Sequence, residues 1–421
     1  MKYGLIGEHL PHSFSREIHE KFGAYSYELR ELPPEEVAPF LARRDFLGIN
    51  VTIPYKKTVI PYLDGTDASA AAVGAVNTVK NKDGRLIGYN TDVGGMRAAL
   101  AHYGISLGGK CVLILGTGGT SLTAQAVSSL EGAREILVCG RRGGEGVLTY
   151  EEAYGIADRV ECILNTTPVG MYPDPEGCPI DLARFSNLTG VFDAIYNPLR
   201  TNLVLDARER GIPAGGGLYM LVAQAVAAYG IFLEKDAPRS LTDRIFREIL
   251  AEKENAVLIG MPGCGKSTVG AKLAAILCRE FYDSDSETVR SDGRAIPRIF
   301  EEDGEPAFRE KEKRTVASLA REAGRVIATG GGAVLSEENI RALRRTGRLL
   351  FLDRPLDLIR PTADRPTASD REALRRRYAE RYPLYRKAAD CRIDASLGAA
   401  TVVKATHAAF LHTVNTQGEA E

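Results

Sequence analysis

Two glycine-rich loops, each lying between a short apolar segment and a helix-like segment, constrain the fold of this 421-residue chain more than any other feature. The first loop, LGTGGTS, follows CVLI and leads into LTAQAVSSL, whereas the second, GMPGCGKST, follows AVLI. A strand that turns into a helix through glycines is the nucleotide-binding element of parallel α/β folds. The two loops differ in pattern, so we expect two nucleotide sites of different kinds.

The rest of the chain repeats the alternation of apolar strands and amphipathic helices. This alternation, over 421 residues, predicts two or three α/β domains built on parallel sheets. Near residue 250, the amphipathic SLTDRIFREILAEKE passes almost directly into a strand, which favours a stiff joint over a flexible linker. The predicted strands are KYGLIG, GINVTI, CVLILG, EILVCG, CILNTT, GVFDAI, AVLIGM, RVIATG and RLLFLD.

Charge and composition argue against several classes of function. The formal net charge is −1, so no bulk electrostatic argument favours binding to nucleic acid or a membrane. No apolar run reaches the ~18 residues that a membrane-spanning helix needs. The seven cysteines show no CxxC spacing, which favours a reducing compartment over disulfides or a zinc site. Because the N-terminus also lacks a signal-peptide pattern, we predict a cytoplasmic protein.

The first loop is a variant of the dinucleotide-binding fingerprint, with Ser121 in place of the third glycine. Its glycines allow a pyrophosphate to approach the backbone at the helix N-terminus. The next predicted strand ends in two arginines, where an NAD site would place an acid, and guanidinium groups suit a 2′-phosphate. We therefore predict an NADP site, the alternative being ordinary exposed loop arginines. Its predicted contacts are Gly116, Gly118, Gly119, Thr120, Arg141 and Arg142.

Several polar stretches elsewhere in the first half suit a substrate that carries a carboxylate and a carbonyl group. The segment HSFS places the hydroxyls of Ser13 and Ser15 two residues apart, where both can donate to one carboxylate. The segments NVTIPYKK and GYNTD supply Lys56 and Asp92. Such a pair can deliver a proton to a carbonyl oxygen while hydride reaches the carbon. Taken singly, each of these two residues has an ordinary surface position as its alternative.

Eight motifs of the first half together resemble those of shikimate dehydrogenase: YGLIGEHLPHSFS, NVTIPYKK, GAVNT, GYNTD, LGTGGTS, NTTPVGM, DAIYNP and GLYMLVAQA. The resemblance implies reduction of 3-dehydroshikimate by NADPH, with Lys56 and Asp92 as the catalytic pair. It implies a substrate domain of residues 1–101 and 216–252 around a Rossmann-like NADP domain of residues 102–215. The implied substrate contacts are Ser13, Ser15, Thr52, Asn77, Asp92, Tyr196 and Gln224, with Gly217 near the nicotinamide.

The chain departs from this family at three places. Glu8-His9-Leu10 replaces the usual Asn-Pro-Ile, and Arg16 replaces a proline. The stretch from Arg141 to Asn165 is also short, which predicts that the helix after EILVC is trimmed or lost.

The second loop fits the pattern G-x-x-x-x-G-K-[ST] without a gap. In such a loop, backbone N–H groups cradle the phosphates, Lys266 reaches the β- and γ-oxygens, and Ser267 binds Mg²⁺. Cys264 lies inside the loop, either as a reactive thiol or as a replacement for the usual small residue. The predicted ATP contacts are Gly263, Gly265, Lys266, Ser267 and Thr268.

The residues after this loop suit phosphoryl transfer to an acid. In FYDSD we expect Asp283 and Asp285 on one side of an extended segment, one serving the metal and one an acceptor hydroxyl. The segment EPAFRE places Arg309 early in a helix, and YPLYRK supplies Arg386. Two converging arginines bind a carboxylate with planar, bidentate geometry. The run Gly330–Gly332 lets the backbone touch a ligand.

The loop, DSD, FR, GGG and PLYR, in this order, resemble shikimate kinase over residues 254–412, an NMP-kinase-like P-loop domain. The resemblance implies Mg²⁺ at Ser267 and Asp283, with Lys266 and Asp285 as catalytic residues. It also implies a lid arginine, for which the duplicated RPTADRPTA offers Arg365 by its spacing, or Arg360. The implied contacts with shikimate are Asp285, Arg309, Gly330, Gly331, Gly332 and Arg386.

Together the halves predict a bifunctional shikimate-pathway enzyme that reduces 3-dehydroshikimate and phosphorylates the product. One alternative is that one half has decayed into a nucleotide-binding regulatory module. Another is a different acid, such as quinate for the first half or a gluconate-type acid for the second. The basic run from Arg371 to Arg381 suggests nucleic acid but fits the solvated face of a helix better. The oligomeric state stays open.

Overall fold

Three open sheets organise the chain. The computed structural model describes residues 1–10, 13–359 and 371–416. The chain divides into two units, Met1–Ile249 and Leu250–Glu419. In the described part of the chain, no helix is long and apolar enough to cross a membrane.

The elements follow one another in the α/β order that the sequence predicts. Up to the unit boundary they are β1 (Tyr3–Gly7), α1 (Ser15–Glu20), β2 (Glu28–Glu31), α2 (Pro34–Arg43), β3 (Gly48–Val51), β4 (Gly65–Thr66), α3 (Ala68–Val73), β5 (Thr78–Lys82), β6 (Arg85–Tyr89), α4 (Asp92–His102), β7 (Cys111–Leu115), α5 (Gly119–Leu130), β8 (Glu135–Cys139), β9 (Val147–Leu148), α6 (Tyr150–Gly155), β10 (Cys162–Asn165), β11 (Gly190–Asp193), α7 (Asn202–Glu209), β12 (Ala214–Gly215), α8 (Leu218–Leu233) and α9 (Arg239–Lys253). After it come β13 (Asn255–Ile259), α10 (Lys266–Leu277), β14 (Phe281–Asp283), α11 (Ser284–Asp292), α12 (Ile296–Glu302), α13 (Gly304–Arg321), β15 (Val326–Ala328), α14 (Glu337–Thr346), β16 (Gly347–Asp353), α15 (Arg371–Ala388), β17 (Cys391–Asp394) and α16 (Ala399–Thr416), and short 3₁₀ turns occupy Ile60–Tyr62, Leu182–Arg184, Ala333–Leu335 and Leu356–Leu358.

All nine predicted strands exist, as β1, β3, β7, β8, β10, β11, β13, β15 and β16. The strands that the prediction missed are mostly short or polar, such as β2 (ELRE) at a sheet edge and β9, which has two residues. The prediction of an almost direct joint near residue 250 is confirmed, because α9 ends at Lys253 and β13 begins at Asn255.

The first sheet, in the order β2-β1-β3-β5-β6-β4, is mixed rather than wholly parallel. Strands β5 and β6 form an antiparallel hairpin that turns through Asp83 and Gly84, both at positive φ. An Asp-Gly pair with positive φ at both residues suits a two-residue hairpin because its twist matches that of the strands. The sheet stays parallel around β1, where the loops after β1 and β3 leave the same edge.

The second sheet, in the order β12-β11-β10-β7-β8-β9, is parallel throughout. Strands β8 and β9 lie on one side of β7, and the chain then crosses to form β10 on the other side of β7. The strand order therefore reverses between β7 and β10. Nucleotides bind at the carboxyl ends of the strands beside such a reversal. The helix after β8 and β9 is trimmed, as predicted, to the six residues of α6.

The third sheet, in the order β14-β15-β13-β16-β17, is also parallel and carries the second glycine-rich loop after its central strand β13. All residues of β13 and β16 are buried. Strands covered on both faces read as continuous apolar runs, which explains why AVLIGM and RLLFLD were recognisable in the sequence.

An aromatic cluster under the first sheet encloses a fully buried histidine, His19. Its ring stacks on Tyr27 with the ring centroids 3.9 Å apart, and its Nδ1 lies 2.8 Å from the Tyr25 hydroxyl. Burial lowers the pKa of His19 from the usual 6.5 to about 3. His19 is therefore neutral in the folded chain at any pH between these values, where the unfolded chain carries a charged histidine.

We predict that His19 makes the first unit sensitive to acid. Its stabilising contribution is complete above pH 6.5 and is lost as the pH falls toward 3, at about 1.4 kcal/mol per pH unit, because only the unfolded chain takes up the proton. In His19→Phe this loss should be absent. Urea midpoints of both proteins at pH 7 and pH 4.5, followed by tyrosine fluorescence, measure the difference. His412→Gln, at an exposed position, is the control and should behave as the unsubstituted chain. Equal acid-induced shifts for the unsubstituted chain and His19→Phe would contradict the prediction.

Candidate active sites

Lys56 and Asp92, the predicted catalytic pair, lie in direct contact in the first unit. Lys56 follows β3, and Asp92 begins α4. Lys56 Nζ donates to Asp92 Oδ2 at 2.6 Å, and the two side chains are only 20% and 11% exposed. The pair is thus held together, largely out of bulk water, and can hold or move a proton.

Beside this pair, Thr91 joins two predicted substrate-binding amides, those of Asn77 and Gln224. The backbone N–H of Thr91 donates to Asn77 Oδ1 at 2.8 Å, and Asn77 Nδ2 donates to Thr91 Oγ1 at 3.0 Å. Thr91 Oγ1 donates in turn to Gln224 Oε1 at 3.3 Å. Gln224 Nε2 donates to the Leu221 carbonyl at 2.8 Å. Both amide oxygens are thereby occupied, whereas each amide nitrogen keeps one N–H for another acceptor.

The segment that carries Ser13 and Ser15 lies close to the segment that follows β11 in the same unit. The ring of Phe14, between Ser13 and Ser15, lies 5.2 Å from the ring of Tyr196. The Ser13 Oγ accepts from the backbone N–H of Ser15 at 3.3 Å. Thr52 follows β3, and its backbone N–H donates to the carbonyl of Ile6 in β1 at 3.0 Å.

Asp193, at the end of β11, anchors the segment that carries Tyr196. Its fully buried carboxylate accepts from Thr201 Oγ1 at 2.6 Å, Asn165 Nδ2 at 3.0 Å and the backbone N–H of Ile195 at 3.0 Å. Burial raises the pKa of Asp193 to about 6, although these three donors oppose the shift. No local sequence pattern marks this aspartate, because one of its partners, Asn165, lies 28 residues away at the end of the neighbouring strand β10.

Gly217 connects this segment to α8. Its backbone N–H donates to the Ile195 carbonyl at 2.8 Å, and a Cβ at this position would overlap the Ala194 carbonyl. Only glycine allows this close approach of two backbones. Helix α8, which carries Gln224, packs back against α4, which begins with Asp92.

The predicted dinucleotide loop has room for a phosphate. Gly116 has φ +107°, and a Cβ there would lie 2.7 Å from Thr166 Oγ1. A Cβ added at Gly118 or Gly119, by contrast, would meet nothing within 4 Å, and α5 begins there with its N–H groups toward this space. Thr120 follows in the first turn of α5. Arg141 and Arg142, both exposed, follow the neighbouring strand β8, so the donor set fits a dinucleotide with an additional phosphate.

In the second unit, Lys266 is drawn back into its own loop. Lys266 Nζ donates to the carbonyls of Gly260 and Met261 at 2.8 and 3.0 Å and lies 3.8 Å from Cys264 Sγ. Gly263 and Gly265 both have positive φ, and Gly265 precedes the first residue of α10. Thr268, in the first turn of α10, is exposed. The loop therefore has the shape of a phosphate cradle around a charged lysine.

The expectation that Asp283 and Asp285 share an extended segment is wrong. Asp283 ends β14 and caps α11, accepting from the backbone N–H of Asp285 at 3.1 Å and of Ser286 at 3.5 Å. Asp285 consequently lies in the first turn of a helix. An aspartate is a strong N-cap, and this favours helix over strand. Asp283 Oδ2 also accepts from Ser267 Oγ at 2.6 Å, and these two oxygens are the ligand type that Mg²⁺ prefers.

The triple glycine lies against three functional groups at once. A Cβ on Gly330 would overlap the Asp285 carboxylate and lie 2.9 Å from Glu312 Oε1. A Cβ on Gly332 would overlap the Arg309 guanidinium. A Cβ on Gly331 would lie 2.5 Å from Pro262 in the second glycine-rich loop, residues 260–268, which is called the phosphate loop from here on. The run is therefore glycine because the phosphate loop, the acid and the arginine all meet its backbone.

Arg309 pairs with Glu312, a buried acid that the sequence analysis missed. Arg309 Nη1 donates to Glu312 Oε2 at 2.8 Å, and Arg309 Nη2 donates to Glu305 Oε1 at 2.9 Å. Burial raises the pKa of Glu312, which is 2% exposed, although Arg309 opposes the shift. Arg309 and Glu312 are three residues apart on one helix, so their side chains lie on the same face. This spacing is visible in the sequence and could have predicted the pair.

The structure contradicts the placement of Arg386 at this site and brings Arg381 there instead. Arg386 is exposed, whereas Arg381 is 9% exposed and its Nη1 donates to the Gly331 carbonyl at 3.0 Å. Tyr385, one turn further along α15, donates to the same carbonyl at 2.6 Å. Arg386 follows Arg381 by five positions, which turns it about 140° away around the helix. The predicted lid residues Arg360 and Arg365 lie outside the described residues.

The two folds and their sites define a dinucleotide-dependent oxidoreductase of Rossmann type joined to a P-loop phosphotransferase. Residues 5–79 match the family model of the shikimate dehydrogenase substrate binding domain, and residues 262–410 match that of shikimate kinase. The chain belongs to the shikimate dehydrogenase family, and its second unit contains a shikimate kinase domain. The predicted family resemblances and fold class are confirmed.

Individual relatives cover the first unit. The shikimate dehydrogenase (NADP(+)) of Moorella thermoacetica is 32% identical over 283 residues, which cover 61% of this chain and 96% of the relative. The enzyme of that name from Geobacillus kaustophilus is 37% identical over 249 residues, covering 54% and 90%. The crystal structure of shikimate 5-dehydrogenase from Thermus thermophilus in complex with NADP(H) and shikimate is 30% identical, with a TM-score of 0.53, over 58% of this chain and 98% of that one.

Proposed function

We propose that this chain catalyses two consecutive reactions, the NADPH-dependent reduction of 3-dehydroshikimate and the ATP-dependent phosphorylation of the resulting shikimate. The observation that carries the proposal is that each unit combines a nucleotide loop with groups for hydroxyls and for a carboxylate. The two families that the chain matches support one shared ring acid. The relatives' names support NADP as the dinucleotide.

In the first unit, we assign the substrate carboxylate to the hydroxyls of Ser13 and Ser15. Thr52, Asn77 and Gln224 bind ring hydroxyls, and the two amides act as donors because Thr91 occupies their oxygens. Tyr196 and Gly217 border the reacting carbon and the nicotinamide.

The Lys56–Asp92 pair supplies the proton of the reduction to the carbonyl oxygen. NADPH, held at Gly116, Gly118, Gly119, Thr120, Arg141 and Arg142, supplies the hydride when bound. Hydride at the carbon and a proton at the oxygen together convert the ketone into the hydroxyl of shikimate. Because the pair is 2.6 Å apart and mostly buried, it holds this proton largely out of bulk water.

In the second unit, Asp285 would accept the proton of the shikimate 3-hydroxyl as the hydroxyl oxygen bonds to the γ-phosphorus of ATP. The bond from that phosphorus to the bridging oxygen breaks, and ADP leaves. Gly263, Gly265, Lys266 and Thr268 hold the phosphates, and Lys266 leaves the two loop carbonyls to do so. Ser267 and Asp283 hold Mg²⁺, which neutralises phosphate charge when bound. The ring acid lies against Gly330–Gly332, and its carboxylate pairs with the guanidinium groups of Arg309 and Arg381.

One reaction mixture tests the whole proposal: purified chain, 3-dehydroshikimate, NADPH and MgATP, followed by mass spectrometry of the ring compound. Accumulation of shikimate 3-phosphate with equal loss of NADPH and ATP is the expected result. Shikimate alone would contradict the kinase assignment and favour a regulatory second unit. If quinate and dehydroquinate are turned over faster than the shikimate pair, the substrate assignment fails although the reaction class stands.

We predict opposite outcomes for two arginines of α15. Arg381→Met should lower kcat/KM for shikimate phosphorylation about 30-fold or more, because removing one partner of a buried charge pair costs about 2 kcal/mol or more. Arg386→Met should change it less than about twofold, since an exposed arginine without such a partner contributes little. Initial rates at varied shikimate and saturating MgATP measure both. A larger loss in Arg386→Met would restore the sequence-based assignment.

A further inference from the structure

A second arginine, Arg377, lies half-buried one helical turn before Arg381 on α15. Arg377, Arg381 and Tyr385 are spaced four residues apart and therefore share a face of the helix. The Nη1 of Arg377 and the Nε of Arg381 are both buried and have no hydrogen-bond partner among the described residues. A guanidinium keeps its charge in proteins, so these N–H groups are donors that lack an acceptor.

The charges around Arg377 do not neutralise it. Burial, and next the positive charge of Arg381, lowers the pKa of Arg377, while Glu305 and Glu380 oppose this. Glu305 is 57% exposed and already pairs with Arg309 at 2.9 Å. In the part of the chain that the structure describes, no carboxylate lies within ion-pair distance of Arg377. Two neighbouring guanidinium groups with buried, unused donors form a site for an anion.

The position of Arg377 indicates which anion it serves. Arg381 contacts Gly331, and a Cβ on Gly331 would meet Pro262 of the phosphate loop. Arg377 lies one turn away from Arg381. The negative charge of Glu305, in the first turn of α13, opposes the lowering of the pKa of Arg377 by burial. Arg377 therefore lies toward the Arg309–Glu305 pair, whose guanidinium, that of Arg309, binds the acid in the proposed function.

We propose that Arg377 is a third guanidinium for the carboxylate of the kinase substrate, beside Arg309 and Arg381. This inference rests on the proposed phosphorylation of shikimate. It assigns Arg377 a role in binding the ring acid rather than in the chemical step, because Arg377 lies one helical turn from Arg381, which binds the carboxylate in the proposed function. A carboxylate oxygen accepts from Arg377 Nη1, and the negative charge offsets the repulsion between Arg377 and Arg381.

The test compares shikimate with its methyl ester, which lacks the carboxylate charge, at saturating MgATP and with the full chain. In Arg377→Met, KM for shikimate should rise about 10-fold to 50-fold with kcat changed less than about threefold. The methyl ester, measured as a slow substrate or as a competitive inhibitor, should bind Arg377→Met and the unsubstituted chain equally well. Arg377→Lys should recover part of the loss. Arg376→Met, which removes an exposed neighbour 3.9 Å from Glu372, is the matched control and should leave KM unchanged.

Three results would overturn this inference. An equal loss of affinity for the ester would mean that Arg377 only supports the local structure. A change in KM for ATP instead of shikimate would place its role at the phosphates. An unchanged KM for shikimate would mean that it does not contact the acid. If the unsubstituted chain fails to phosphorylate shikimate, the proposed function itself fails, and this is seen before any variant is made.

Discussion

Lys56→Ala should lower kcat for the reduction of 3-dehydroshikimate about 10²-fold to 10⁴-fold, which is the range that a positioned proton donor contributes. The loss should appear in kcat more than in KM, because Lys56 Nζ is held by Asp92 at 2.6 Å and acts on the proton of the reacting oxygen. Oxidation of NADPH, followed by absorbance at varied 3-dehydroshikimate, measures both constants.

Lys57→Ala is the matched control for this variant, since Lys57 is the next residue and is exposed. It should retain the reduction rate of the unsubstituted chain. Phosphorylation of added shikimate should persist in Lys56→Ala, because the two sites use residues of different units. A loss of kinase turnover in Lys56→Ala would contradict the independence of the sites. Reduction within about threefold of normal would remove Lys56 from the catalytic pair.

Motifs with a fixed local shape were predictable from the sequence. The phosphate loop follows a strand and leads into a helix that begins at Lys266. The loop after β7 likewise leads into a helix, which begins at Gly119, in the predicted dinucleotide site. The long buried strands were also predictable from the sequence, because their apolar runs are continuous. The hairpin of β5 and β6 was missed although Asp83-Gly84 is a two-residue turn signal that the sequence carries.

The errors concern the direction in which a side chain points. Arg386 is the arginine of the PLYR motif and Arg381 precedes that motif, and only the packing of α15 against Gly331 decides which of the two is buried. Asp285 was placed on a strand because alternation was assumed, whereas the capping carboxylate of Asp283 begins a helix. Helix phase and capping were the missing information, and both depend on the neighbours of the segment.

Other parts of the sites depend on contacts across the fold, which no local pattern encodes. Thr91 links Asn77 to Gln224 although Gln224 lies 133 residues further along the chain. Asp193 holds the Tyr196 segment through Asn165, which ends β10, and through Thr201, which follows β11. Short-range motifs therefore located the reacting groups, while the residues that orient them required the tertiary structure.

Lys266→Ala should reduce kinase turnover about 10³-fold, equivalent to about 4 kcal/mol of transition-state stabilisation, because the ammonium group offsets charge that develops on the transferred phosphoryl group. The side chain also bonds two carbonyls of its own loop, so its removal frees the loop as well as deleting the charge. Lys266→Arg separates the two effects, since it keeps the charge in a longer side chain. Lys272→Ala, at an exposed position of the same helix, is the control and should be fully active.

Mixing the two variants, each of which lacks one of the two activities, distinguishes the loss of one site from damage to the whole chain. Lys56→Ala retains the kinase and Lys266→Ala retains the reductase, so an equimolar mixture should convert 3-dehydroshikimate into shikimate 3-phosphate through shikimate released into solution. Each variant alone should lack one step: Lys266→Ala accumulates shikimate, and Lys56→Ala consumes 3-dehydroshikimate about 10²-fold to 10⁴-fold more slowly than the unsubstituted chain. Near-normal kinase activity in Lys266→Ala would contradict the role of the phosphate loop. A mixture that accumulates shikimate would show that Lys56→Ala has lost its kinase as well, which means either a damaged chain or coupling between the two units.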